Sequence, residues 1–144
     1  MKLRLDFDEL AGDFFEDTRL LGIVAPVKDY QLCWHLNQLL RVDFRKNNDI
    51  EIQLNKKKRN YYFSVFEYRE PNNSLIHYLY NNQFDGEYLL PEFRHLDFLW
   101  LLKGDAVSDE SLVQLIGAIR KLNGVQLVVE LTNEKIKNKG HLIF

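Results

Sequence analysis

One cysteine, three prolines and seven glycines are few for a chain of 144 residues, and each shortage excludes something. The single thiol, Cys33, rules out an intramolecular disulfide framework and fits a reducing compartment. So little Gly and Pro argues against long disordered linkers. No apolar run approaches the roughly 20 residues that cross a bilayer. The opening Met1-Lys2-Leu3-Arg4-Leu5-Asp6-Phe7-Asp8 has no signal-peptide core. Charge of neither sign is in excess: the net value is −2, so no global field draws the chain to nucleic acid or anionic lipid. These absences predict a cytoplasmic protein with no membrane partner.

The motifs of common chemistries are absent too. Neither GxxxxGK[ST] nor GxGxxG occurs, so no loop is built to cradle phosphates, and there is no GxSxG nucleophile elbow. The histidines are His35, His77, His95 and His141, with no HExxH among them. Cys33 and His35, two apart on a helix, point in different directions. Cys33 reads as packing rather than as a nucleophile. No catalytic constellation, metal site or cofactor is expected, because no pair of groups with separable acid and base roles can be named.

What the chain does have is aromatic residues, 13% of the total with ten Phe and seven Tyr, which favours strands. Its length suits a single domain, residues 1–144, with a core of its own. Leu3, Leu5 and Phe7 alternate with charged residues as in a half-buried strand. Leu20 to Ala25 reads as a buried strand, and Pro26 sits where a helix can begin. From Val27 to about Arg41 the period is helical: Cys33, Leu36 and Leu40 share a face, flanked by Tyr30 and Trp34 on one side and by Leu32 and Leu39 on the other. Ile50 to Leu54 and Tyr61 to Tyr68 form a hairpin with the basic tip Lys56-Lys57-Lys58-Arg59. Leu75 to Tyr80 is a further strand.

The last third is a strand–helix–strand unit. Leu96 to Leu102 is so apolar that both faces must be buried, which places it in the middle of a sheet. Ser108 caps a helix with Asp109 and Glu110 in its first turn, and Asn123-Gly124 stops it. Val125 to Leu131 is the returning strand. The expected fold class is α+β: one largely antiparallel sheet, two main helices packed on one face, and a C-terminal βαβ unit. That is a ferredoxin-like plan with extra hairpin strands.

Leu90-Pro91-Glu92-Phe93-Arg94-His95-Leu96-Asp97-Phe98 resembles the signature of the bacterial IPExxxVDY family, with Leu90, Leu96 and Phe98 as apolar replacements for Ile, Val and Tyr. The resemblance extends to Leu21-Gly22-Ile23, to Asp29 to Trp34 and to Leu142-Ile143-Phe144. The family is uncharacterised, so the resemblance implies no catalytic residues. Glu92 and Asp97 are then either a displayed carboxylate pair or structural acceptors for backbone N–H groups, and the structural role is the expectation. Arg94 is a plausible basic partner for Asp97.

Function is read from surfaces. Tyr68, Tyr78, Tyr80, Phe84 and Tyr88 look too many for one face of one core. The expectation is a non-catalytic interaction or self-associating module presenting Tyr68, Tyr78 and Tyr80 to a protein partner or a second copy. One alternative is RNA binding: Lys56, Lys57, Lys58 and Arg59 would follow phosphates, with Arg59, Tyr61, Phe63 and Phe66 at RNP1 spacing. Another is a regulatory domain holding a small ligand between sheet and helix.

Overall fold

The computed structural model describes residues 12–144, so the predicted strand at Leu3 to Phe7 lies outside the described residues. The elements are β1 (Arg19–Val24), α1 (Asp29–Leu40), β2 (Arg45–Lys56), β3 (Arg59–Arg69), β4 (Ile76–Asn81), β5 (Gln83–Phe84), β6 (Glu87–Tyr88), β7 (Phe98–Lys103), α2 (Asp109–Arg120) and β8 (Leu127–Leu131). Short 3-10 turns occupy Pro91–Phe93, Asn133–Lys135 and Lys139–Leu142.

Among the described residues six strands form one sheet in the order β2-β3-β4-β7-β1-β8, with β5 and β6 as a separate small hairpin. Every neighbouring pair in the large sheet is antiparallel. Strands β7 and β8 both run antiparallel to β1, which lies between them. They are therefore parallel to each other, joined through α2 in a split βαβ unit. Strands β1, β4, β7 and β8 with the two helices follow the ferredoxin-like order, and the β2–β3 hairpin extends the sheet beyond β4. The α+β class read from the sequence is the fold observed.

Strand β7 sits inside the sheet and is buried from Phe98 to Leu102. Side chains alternate across a strand, so its residues divide between two cores. Phe98, Trp100 and Leu102 join Leu21, Ile23 and Leu79 beneath α1 and α2. Leu99 and Leu101 join Leu20, Phe63, Val65, Tyr78 and Tyr80 on the opposite face. That second face is covered by Leu89, Leu90 and Leu96 from the β6–β7 connection and by Leu142 from the C-terminal tail. Fully burying one Leu or Phe contributes about 1.5–3 kcal/mol, so a strand buried on both sides is the main anchor of the domain.

Helix α1 starts at Asp29, with Lys28 as its cap and the Gln31 side chain accepting from the Lys28 N–H. Pro26 precedes the cap rather than opening the helix, because residues 26–28 form the turn between β1 and α1. Helix α2 is capped as its sequence indicates: the Ser111 N–H donates to Ser108 Oγ at 3.2 Å. At the end of β7, Gly104 adopts φ +100°, and an added Cβ would collide with the Ser74 carbonyl oxygen. Both features demand glycine. Gly104→Ala is expected to lower the unfolding free energy by about 2 kcal/mol through backbone strain and that collision, read from the urea midpoint.

Candidate functional site

The segment that carries the family-like signature is a structural brace organised by a residue outside it. Asn82 is fully buried just after β4. Its Nδ2 donates to the Phe93 and Leu96 carbonyls, each at 2.9 Å, and its Oδ1 accepts from the Leu90 N–H at 2.9 Å. Its backbone N–H donates to the Asp97 carbonyl and its own carbonyl accepts from the Leu89 N–H. One side chain thus satisfies three backbone groups of a loop that burial would otherwise leave unpaired. Pro91 opens the 3-10 turn of that loop, and Leu90 and Leu96 drive into the second core. Leu96 lies where a Cβ on Gly22 would be, so the glycine of β1 forms a notch for it.

Glu92 and Asp97 serve the same framework. The Glu92 carboxylate accepts from the Lys137 N–H at 2.5 Å, the Asn138 N–H at 2.8 Å and Asn138 Nδ2 at 2.9 Å. Burial alone would raise its pKa, but these donors outweigh it and hold the carboxyl below its ordinary value. Glu92 pins the tail rather than its own turn. Asp97 Oδ2 accepts from the Ala25 N–H at 2.8 Å, tying β7 to the end of β1. Its partner is that amide rather than Arg94, which is exposed.

The expected aromatic surface needs correction. Tyr78 and Tyr80 are buried, and Tyr68 is half-buried. The Tyr80 hydroxyl donates to the Leu142 carbonyl at 2.9 Å, and the Phe144 ring meets Tyr78 edge-on at 4.8 Å. Tyr68 packs on the helix side near Phe44 and His77. The reason is that the sheet has two covered faces: the tail closes over the face to which 78 and 80 point. The most exposed aromatics among the described residues lie on α1, while Tyr62, Phe84 and Phe144 are about four-tenths exposed. Tyr30 is 59% exposed and Trp34 60%. They stand one turn apart, on the side away from buried Leu32, Cys33 and Leu36. Helix α1 is therefore not wrapped by the core on all its apolar sides.

The basic tip is partly neutralised. Lys57 and Lys58 form its two-residue turn, both at positive φ. Lys56 pairs with Glu87 at 3.3 Å and Arg59 pairs with Asp85, both acids coming from the β5–β6 hairpin region. Of the residues at RNP1 spacing, Tyr61, Phe63 and Phe66 are buried. Tyr62, between Tyr61 and Phe63, is 42% exposed and is the one ring of this stretch turned to solvent.

One buried polar cluster has the residue types of catalysis without the geometry. Trp100 Nε1 donates to His77 Nδ1 at 3.0 Å, so the ring proton is on Nε2, which meets Glu70 Oε2 at 2.6 Å. Both ring nitrogens are committed, and neither can accept a substrate proton. Burial lowers the His77 pKa below 6.5, and the bond and charge of Glu70 oppose this only in part. Cys33 is buried, which pushes its thiol up to about 12, far from a nucleophilic thiolate. Among the described residues no three His, Cys, Asp or Glu side chains are grouped to hold a metal.

A cleft of about 440 Å³ separates the outer edge of β2 from the tail, with Ile52, Leu54, Lys137, Asn138, His141 and Ile143 among its walls. His141 Nδ1 lies 2.7 Å from the Leu89 carbonyl, which makes it the donor. The brace therefore sets both the tail and the histidine tautomer. No protein-family model matches the chain, and no curated protein matches it. Among the described residues no helix is long and apolar enough to cross a membrane.

Two outcomes follow from the buried polar groups. Asn82→Asp turns two donors into an acceptor facing the carbonyls of Phe93 and Leu96; the unfolding free energy is expected to drop by roughly 3 kcal/mol or more, measured in urea. For His77, the folded pKa lies below the unfolded value, so the unfolded chain binds the proton first. Stability should be level above pH 6.5 and fall as pH drops from 6.5 toward the folded pKa. His77→Gln, which keeps an acceptor for Trp100, should flatten that part of the midpoint-against-pH curve.

Proposed function

We propose that the chain is a non-catalytic protein-interaction module whose docking surface is the outer face of α1. The observation that carries this reading is the pair Tyr30 and Trp34, one turn apart and each more than half exposed. Trp and Tyr are the residues that dominate binding energy when a partner desolvates them. Lys28 and Arg41 flank the pair, at the cap and at the end of the helix. The mode is recognition of a helix face by an apolar groove on the partner.

The buried groups support the non-catalytic part. Both ring nitrogens of His77 and both carboxylate oxygens of Glu92 are bonded inside the fold, and Asp97 Oδ2 accepts from the Ala25 N–H. Cys33, the lone and buried thiol, supports a reducing, cytoplasmic setting. The grouping with IPExxxVDY-like proteins rests on the sequence resemblance at Leu90 to Phe98. RNA binding through the hairpin tip is the weaker reading, given the pairing of Lys56 and Arg59 and the burial of Tyr61 and Phe63.

The test compares immobilised wild type with Trp34→Ala and Tyr30→Ala. Both side chains are solvent-facing, so the melting temperature should move little. A protein retained by the wild type and lost from both variants is the expected result. Identical retention by all three proteins, or retention of nucleic acid that a rise in salt removes, would refute the α1 surface.

A further inference from the structure

The sheet has two outer strands, and they are treated differently. Strand β2 carries the devices that prevent edge pairing. Its register with β3 jumps between Lys46 and Glu51, so a wide bulge breaks the edge. Its far end carries Lys56, and Lys57 and Lys58 follow in the turn. The tail turn Lys139–Leu142 also approaches it. Among the described residues strand β8 has none of these, and one outward carbonyl, that of Val128, accepts from Arg120. The run Val125-Gln126-Leu127-Val128-Val129-Glu130-Leu131 contains no Gly, Pro or Lys. Its one charge, Glu130, is held by a bidentate pair with Arg19 at 2.9 Å.

From this contrast we infer that β8 is a self-association edge, at which a second copy of the chain adds its own β8 antiparallel across a two-fold axis. The backbone directions fix the register. The Ile23 carbonyl accepts from Asp97 on the β7 side, while the Val24 carbonyl accepts from Gln126 on the β8 side. Successive residues of a strand alternate in direction. Gly22 and Val24 therefore turn toward β8, and their partners Val129 and Leu127 turn inward. Val128 and Glu130 then direct their N–H and C=O groups outward. The Val128 carbonyl confirms this, since it accepts from the Arg120 guanidinium at 3.1 Å.

An axis at Val129 places Val128 opposite Glu130 of the second copy and the reverse. Both outward residues of each copy then gain their ladder bonds, with Val129 facing its own equivalent. Side chains in this register are complementary. On the helix side, Arg120 lies over Val128 and so comes beside Glu130 of the second copy, twice by symmetry. On the other side, exposed Leu127 faces Leu131 of the second copy. The flank of α2 that carries Arg120 also carries exposed Val113 and Gly117, which has open space around it. Two such flanks can approach closely. The surface is distinct from that of α1 and independent of it.

Sedimentation equilibrium of the full chain at about 50 µM, where a micromolar dimer dominates, is expected to give twice the 17.2 kDa of one chain. Val129→Cys should trap the dimer on mild oxidation. In a non-hydrogen-bonded antiparallel pair the Cα atoms are about 4.5 Å apart, within disulfide range, and buried Cys33 cannot take its place. Leu127→Lys, at an exposed position, should weaken dimerisation by about tenfold with an unchanged circular dichroism spectrum. A mass of one chain at this concentration overturns the inference. So does a folded Val129→Cys that forms no covalent dimer. A dimer lost with Trp34→Ala but untouched by Leu127→Lys would place self-association on α1 instead.

Discussion

Strand β7 is apolar from Phe98 to Leu102 and lies inside the sheet, so neither of its faces can be left to water. On one side two amphipathic helices are available, and α1 and α2 fill it. On the other side no helix as long as these lies among the described residues, and the helical turn at residues 12–14 brings Phe14 against that core. The chain covers that face with irregular pieces, the β6–β7 connection and the C-terminal tail. Irregular backbone in a buried position brings unpaired N–H and C=O groups with it. Much of the polar chemistry of the molecule is spent on satisfying them.

That demand accounts for residues that otherwise look functional. Asn82 holds the connection, Glu92 holds the tail and Asp97 closes the end of β1, each by accepting from or donating to backbone groups. The family-like signature is thus a set of apolar plugs and backbone acceptors around one covered face. His77, Glu70 and Trp100 form a similar closed unit on the helix side. These groups are tied into the fold by bonds to backbone and to one another. The ion pairs follow the same economy: Lys56 with Glu87, Arg59 with Asp85 and Arg19 with Glu130 are each satisfied locally. Apolar side chains left in solvent include Tyr30 and Trp34 on α1, Leu127 on β8, and Tyr62 and Phe84 elsewhere.

Periodicity made the fold class legible. Strands β1, β3, β4 and β7, both helices and the Ser108 cap lie close to where hydrophobic spacing and cap chemistry put them. Burial of β7 on both faces followed from its composition alone. The structural roles of Glu92 and Asp97 were legible as types of bond, though the tail as the partner of Glu92 was not. The exposed tyrosines were misplaced. Tyr78 and Tyr80 alternate onto a face that looks free in a sheet with helices on one side, and the paths of the β6–β7 connection and the tail bury them. A sequence signal did exist: Leu142-Ile143-Phe144 is apolar and needed somewhere to lie. Asn82 gave no signal, since an asparagine in a turn-rich stretch is ordinary.

Local order came from the sequence by itself: which segments are strands or helices, where they are capped, and that one ribbon must be central. These depend on side-chain period and on bonds between near neighbours, which a linear reading contains. The tertiary structure alone decided which face the tail would cover, which aromatics would stay wet, and which carbonyls Asn82 and Glu92 would serve. Those outcomes depend on contacts across tens of residues, such as Glu92 with Asn138 and Tyr80 with Leu142. Such contacts are selected by the joint requirement that every buried polar group finds a partner, a condition on the whole chain rather than on any stretch of it.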